Sequence, residues 1–257
     1  MLRDALYGAL IVGVLLSGPA WGYEEASIPD GGSLRGSVKY SGTLPTLPPI
    51  AVKKNQDVCG SSKPSEALVV GPNNGVRSSV ILVEGIRSGK KADKEVVIDN
   101  HKCVFMPHVA AVMAGGKIKI KNSDDILHNT RGSLARSTVF NTALPRQHQQ
   151  IDITSKLKRP GIVEVLCDAH THMRGWLVVH DSPYFAVTDQ SGNFLIDGIP
   201  PGKYKITMWH ESWVEKGRDK DGRVPYGDPI VTTKEVVIPP KGTATVEFEL
   251  KSFNPSS

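Results

Sequence analysis

Apolar and polar residues alternate with a period of two in many short runs along the chain, and almost nowhere with a helical period. Leu34-Arg35-Gly36-Ser37-Val38-Lys39-Tyr40 and Lys117-Ile118-Lys119-Ile120-Lys121-Asn122 show it best. Such runs predict strands with one buried face. Further strands are predicted at 67–70, 80–83, 96–98, 104–112, 138–141, 148–153, 162–166 and 176–180. The C-terminal part adds 185–188, 193–196, 203–209, 235–238 and 244–250. Turn signals separate them, among them Pro72-Asn73-Asn74-Gly75, Pro160-Gly161, Asp189-Gln190-Ser191-Gly192 and Pro200-Pro201-Gly202. The fold class is therefore all-β, with no helix expected.

Composition changes this picture little. A hydrophobic share of 39% over 257 residues suits one or two globular domains. The net charge of +5 is dispersed, apart from the Lys53-Lys54 and Lys90-Lys91 pairs. It reads as a solvated cationic surface, or as steering toward an acidic partner or membrane surface. No nucleic-acid motif is present. Residues 1–22 read as an export signal: Arg3, an apolar run from Ala5 to Leu16, and Ala20-Trp21-Gly22 before a cut. An uncleaved anchor is the alternative, but the run is short for a span. Export implies a periplasmic or otherwise exported protein with no membrane span after cleavage.

The candidate chemistry lies in Cys167-Asp168-Ala169-His170-Thr171-His172-Met173, between two predicted strands. A Cys, a His and a Met at C-x2-H-x2-M spacing make most of a soft-metal site. His128 is the best candidate for a second imidazole. Two His, one Cys and a weak axial Met form the ligand set of a blue-copper electron-transfer centre. Zinc is the alternative metal, although a thioether is a poor zinc ligand. With Cys167 assigned to metal, Cys59 and Cys103 are free to pair across a loop of about 45 residues. Reduced thiols, or a second metal site using Cys103 with His101 or His108, are the other readings. No second Cys in the loop supports a dinuclear copper centre. Only one His-x-His pair, His170-Thr171-His172, is present, which argues against an oxygen-reducing cluster.

Asn122-Ser123-Asp124-Asp125-Ile126-Leu127-His128-Asn129, taken with Cys167-x2-His170-x2-Met173, resembles the cupredoxins, and the short ligand loop resembles the amicyanin type. The resemblance covers about 96 to 180. It implies one copper ion on His128, Cys167, His170 and Met173. It also implies that Asn129 holds the ligand loop near the sulfur, and that an exposed His170 ring edge would be the electron port. Asp168 departs from the small hydroxyl residue common in such loops and could shift the potential. His172 is an extra imidazole, expected to face solvent. A cupredoxin fold that has lost its copper is the alternative.

Phe185-Ala186-Val187-Thr188-Asp189-x2-Gly192-x-Phe194-x-Ile196-x2-Ile199-Pro200-x-Gly202-x-Tyr204 resembles the carboxypeptidase regulatory-like domain, a transthyretin-type β-sandwich. Its opening strands are missing there and are expected near the N-terminus, around Val38 and Val80. The expected organisation is a signal peptide at 1–22, an N-terminal β segment at 23–92 completing the C-terminal sandwich, and a cupredoxin domain at 93–182. A regulatory-like sandwich at 183–251 and a tail at 252–257 complete it. The arrangement is similar to exported bacterial cupredoxins, some labelled methylamine utilisation proteins.

The expected function is single-electron transport, not enzymatic catalysis, with a redox protein such as a c-type cytochrome or a dehydrogenase as partner. A carbohydrate- or protein-binding module with a vestigial metal site, and copper storage or delivery, are the alternatives. Trp209-His210-Glu211-Ser212-Trp213 is unabsorbed: a core Trp before a polar turn, or a second metal or partner site.

Overall fold

The computed structural model describes residues 22–92 and 94–251; the export signal read at 1–22 lies almost wholly outside this range. The described chain is β-rich, with one turn of α-helix at Gln56–Cys59 and two 3-10 turns.

Four large sheets pair into two sandwiches. In the first, the strands Gln150–Asp152, Ile118–Asn122, Val96–His101 and Val104–Met106 form one layer in that order. The facing layer runs Ser137–Leu144, His128–Leu134, Gly161–Leu166, Arg174–His180, Val109–Met113. Alternation supplies the core between them. Ile118 and Ile120, Val163 and Val165, and Leu177 and Val179 all turn inward and are buried. A methyl-rich inward face stabilises by about 25 cal/mol per Å² of apolar area removed from water, while Lys117, Lys119 and Lys121 stay on the outside.

The second sandwich uses both ends of the chain. Gly32–Ser41 lies between Asn193–Ile199 and Thr243–Lys251. Val80–Val83 lies between Phe185–Val187 and Gly202–His210, with Ile230–Ile238 outside. The first sandwich is thus inserted between strands of the second. Close packing leaves no room for a side chain at Gly36, where a Cβ would collide with the Val246 carbonyl oxygen. The sandwiches meet along Val80, Leu82, Val109, Ala111, Val178 and Trp209.

Several expectations need correction. Residues 67–70 form no strand; Val70 makes one isolated bridge, to Val76. The run 104–112 is two strands, broken at a cis Met106–Pro107 bond, and they join different sheets. His128–Leu134 is a full central strand although its sequence looks polar. Its inward positions are His128, Thr130 and Gly132, small or hydrogen-bonding residues that a hydrophobicity pattern misses. Asn100 Nδ2 donates to Thr130 Oγ1 at 3.1 Å, so the buried hydroxyl is satisfied. The segment Ile50–Lys63 also leaves the sandwich around it. Val52 and Cys59 pack into the core of the other unit, and Cys59 is disulfide-bonded to Cys103.

Candidate metal centre

The loop of interest is the short connection between two paired strands. Leu166 faces Arg174 across the ladder, and the seven residues between them close on themselves. Met173 N–H donates to the His170 carbonyl at 2.9 Å, and Cys167 N–H to the Met173 carbonyl at 3.4 Å. The tight turn brings Cys167 and His170 to one side, facing the start of the neighbouring strand, where His128 stands.

Asn122 sets the position of His128. Its amide N–H donates to the Ile126 and Leu144 carbonyls at 2.9 and 3.0 Å, and its oxygen accepts Asp124 N–H at 3.0 Å. The turn from 123 to 127 is thereby fixed. Asp124 then accepts the backbone N–H groups of Lys102 and Cys103 at 2.7 and 2.8 Å, and His128 Nε2–H at 3.0 Å. With Nε2 committed to a carboxylate, Nδ1 of His128 points at the sulfur.

The convergence is close. Cys167 Sγ lies 3.9 Å from His128 Nδ1 and 3.7 Å from His170 Nδ1. One ligand atom from each of the three residues falls within 4.8 Å of the others, and all three are buried. A sulfur about 2.3 Å and a nitrogen about 2.0 Å from a shared metal, at a trigonal angle, stand about 3.7 Å apart. The two sulfur–nitrogen separations are therefore those of donors that could share one metal ion. Met173 is 1% exposed and packs in the same core cluster.

The charges agree with this. Burial raises the Cys167 thiol, but hydrogen bonds from His128 and His170 outweigh it and bring its pKa down to about 6. Burial lowers His128, but Asp124 and Cys167 carry it up to about 8. The site thus sets a thiolate beside an imidazolium, an arrangement in which a soft cation could take the proton's place.

Asn129 ties the loop down. Its side-chain oxygen accepts Asp168 N–H at 2.6 Å and Ala169 N–H at 3.0 Å, and lies 3.6 Å from Cys167 Sγ. Asp168 is not a bare charge beside the sulfur. Arg131 grips it at 2.9–3.1 Å, and the Arg131 guanidinium holds its carboxyl below the usual range.

Two features differ from the sequence expectations, and further contacts were not foreseen. His172 does not face solvent. It is buried, and its Nε2–H donates to the Cys103 carbonyl at 3.1 Å. Burial drives its pKa down to about 4. The His170 ring has no exposed edge either. The residue is 2% exposed, and its Nε2–H donates to Asn55 Oδ1 at 2.9 Å. Asn55 sits on the segment strapped down by the Cys59–Cys103 bridge, so that segment caps the cluster. From the other sandwich, Arg223 reaches in. It donates to the Cys167 carbonyl at 2.7 Å and the Thr171 carbonyl at 3.3 Å. Sequence reasoning missed Asn55 and Arg223, which are far from the loop in sequence. Asp124 had a signal, its i,i+4 spacing to His128.

No protein-family model matches this chain, and a search of curated proteins found no match. Solved structures were found that resemble part of it. A purple cupredoxin from Nitrosopumilus maritimus is 18% identical, over 34% of this chain and 99% of that one, with a TM-score of 0.29. An amicyanin mutant in its reduced state is 22% identical, over 35% and 86%, with a TM-score of 0.30. A copper-containing nitrite reductase from Thermus scotoductus is 16% identical, over 38% and 25%, with a TM-score of 0.30. The first sandwich stands as a two-layer β-sandwich on its own strand order, and likenesses this distant say nothing of what the chain binds.

Proposed function

We propose that the protein is an exported, periplasmic copper protein in which His128, Cys167, His170 and Met173 hold one blue-copper ion. The carrying observation is the buried convergence of two imidazole Nδ1 atoms on one thiol sulfur at 3.7 and 3.9 Å. A bound copper would supply one-electron redox chemistry. The chain's own residues do the rest. Asp124 orients His128, Asn129 fixes the ligand loop, and Arg223 and Arg131 balance Asp168. The surrounding β-core excludes water, and Met173 offers a weak thioether donor. On this reading the protein passes single electrons between redox partners such as a c-type cytochrome and a dehydrogenase. The flanking transthyretin-type sandwich anchors the ligand loop and is a surface for protein or carbohydrate. Among the described residues no helix is long and apolar enough to cross a membrane.

One observation favours a second reading, copper storage or delivery. The capped His170 denies a partner the ring edge. Reconstitution with Cu(II) tests the proposal: intense thiolate-to-copper absorption, lost in Cys167→Ala, is expected. A colourless protein that takes up only zinc refutes it. Rapid electron exchange with a small cytochrome supports transport, whereas Cu(I) handed to an acceptor protein without such exchange supports delivery.

A further inference from the structure

Two features of the sequence have no place in this centre, His108 and the Trp209–Trp213 run. They meet where the sandwiches join. His108 is 6% exposed, and its Nε2–H donates to a Glu211 carboxylate oxygen. The other oxygen of Glu211 accepts the Trp176 indole N–H at 2.8 Å. Glu211 is itself only 3% exposed. The remaining nitrogen of His108, Nδ1, is buried and makes no hydrogen bond. It faces Glu66 Oε2 at 3.7 Å. Both residues line a cavity of about 30 Å³, shared with His172, Arg174 and Tyr226.

A separation of 3.7 Å is too long for a hydrogen bond. With Nε2–H donating, Nδ1 is the ring's remaining place for a cation and faces the Glu66 carboxylate: the two carboxylates favour a proton there, and a metal ion would take the same lone pair in its stead. A buried imidazole whose far nitrogen is held by a carboxylate is the arrangement found at metal-bound histidines: the carboxylate fixes the tautomer and strengthens the donor. Two ligand atoms about 2.1 Å from a tetrahedral ion stand about 3.4 Å apart, so a small side-chain adjustment closes the gap.

Charge points the same way. Glu66 and Glu211 put two carboxylates around one imidazole. Burial opposes a cation on His108, yet Glu211 and Glu66 overcome it and raise its pKa. The terminal nitrogens of Arg174 are taken by Glu164 at 2.6 Å and the Val224 carbonyl at 2.7 Å, while its Nε–H is buried without a partner.

We propose that this cavity is a second metal site, for a divalent cation of the zinc class, held by His108 Nδ1 and the Glu66 carboxylate, completed by water and oriented by Glu211. It contains no thiolate and does not depend on the copper reading.

Cobalt(II) titration of the full mature chain separates the two sites. A metal at Cys167 gives thiolate charge-transfer absorption, and a metal at His108 gives only weak visible bands. Two equivalents are expected in the wild type. Cys167→Ala removes the charge-transfer band and keeps the weaker one. Glu66→Gln, at a partly exposed residue outside the core, does the reverse and weakens the second equivalent at least tenfold. His108→Gln abolishes that equivalent, with circular dichroism confirming the fold. A single equivalent that carries the thiolate charge-transfer band, with no weaker-band site, or a thiolate-free equivalent indifferent to Glu66→Gln, overturns the proposal and leaves a water-filled cavity. Loss of the charge-transfer site alone bears only on the copper reading.

Discussion

Removing the Cys59–Cys103 bridge tests what closes the His128–Cys167–His170 cluster. The perturbation is the double replacement Cys59→Ala with Cys103→Ala. The bridged residues are 44 apart in sequence, and a loop of that size lowers the entropy of the unfolded chain enough to be worth about 4 kcal/mol. Global stability in urea should fall by about that amount. The local effect is larger in consequence. Without the bridge, the segment Ile50–Lys63 is held by Val52, which is 2% exposed, by the Asn55–His170 hydrogen bond, and by a two-residue pairing of its ends. Burial of one valine contributes about 2 kcal/mol, and one hydrogen bond about 1 kcal/mol. Ordering roughly a dozen residues costs about 1 kcal/mol each. Entropy wins, and the cap opens while both sandwiches stay folded. The assay is carbethoxylation of His170 in metal-free protein, followed by mass spectrometry. Its Nε2 is covered in the wild type, so the reaction should be at least tenfold faster in the variant. An unchanged rate, in a variant whose circular dichroism is native, would refute the claim that the bridged segment controls access to His170.

Two further outcomes follow from the same geometry. Arg223→Leu leaves the Cys167 and Thr171 carbonyls without their donor; charge-assisted bonds of this kind suggest a loss on the order of 3 kcal/mol in urea denaturation, and a change below ~0.5 kcal/mol would show that the loop holds its shape unaided. His172 has its folded pKa lowered to about 4, against about 6.5 in an unfolded chain. Between those values the unfolded state binds the extra proton, so its contribution is present above the window and is lost as pH falls. Relative to His172→Gln, the apo protein should lose about 2 kcal/mol between pH 7 and pH 4, allowing for partial solvent screening; a pH-independent difference would mean that His172 protonates freely in the fold.

How much of this was legible in the sequence differs by residue. The period-two runs around Ile118 and Val163 declared themselves, because a strand with one buried face must alternate. The run Cys167–Met173 declared a candidate metal loop, because few other purposes bring a thiol, an imidazole and a thioether together at that spacing. His128–Leu134 stayed hidden as a strand, because hydrogen bonding rather than greasiness fills its inward positions. His172 was misjudged for a related reason. Nothing local tells an imidazole in a loop that a carbonyl from Cys103 awaits it inside.

The sequence by itself determined the all-β class and singled out the candidate loop with its thiol, imidazole and thioether, since these depend on local period and residue chemistry. Its motifs also pointed to one sandwich built from both ends of the chain, and only the tertiary structure decided the strand order and register within it. The same is true of the cap over His170 and of Arg223, which reaches the loop from the other unit. So is the pairing of His108 with Glu211 and Glu66. Each is a contact between residues distant along the chain, made when apolar surfaces pack, and no local pattern encodes which polar groups that packing will bring face to face.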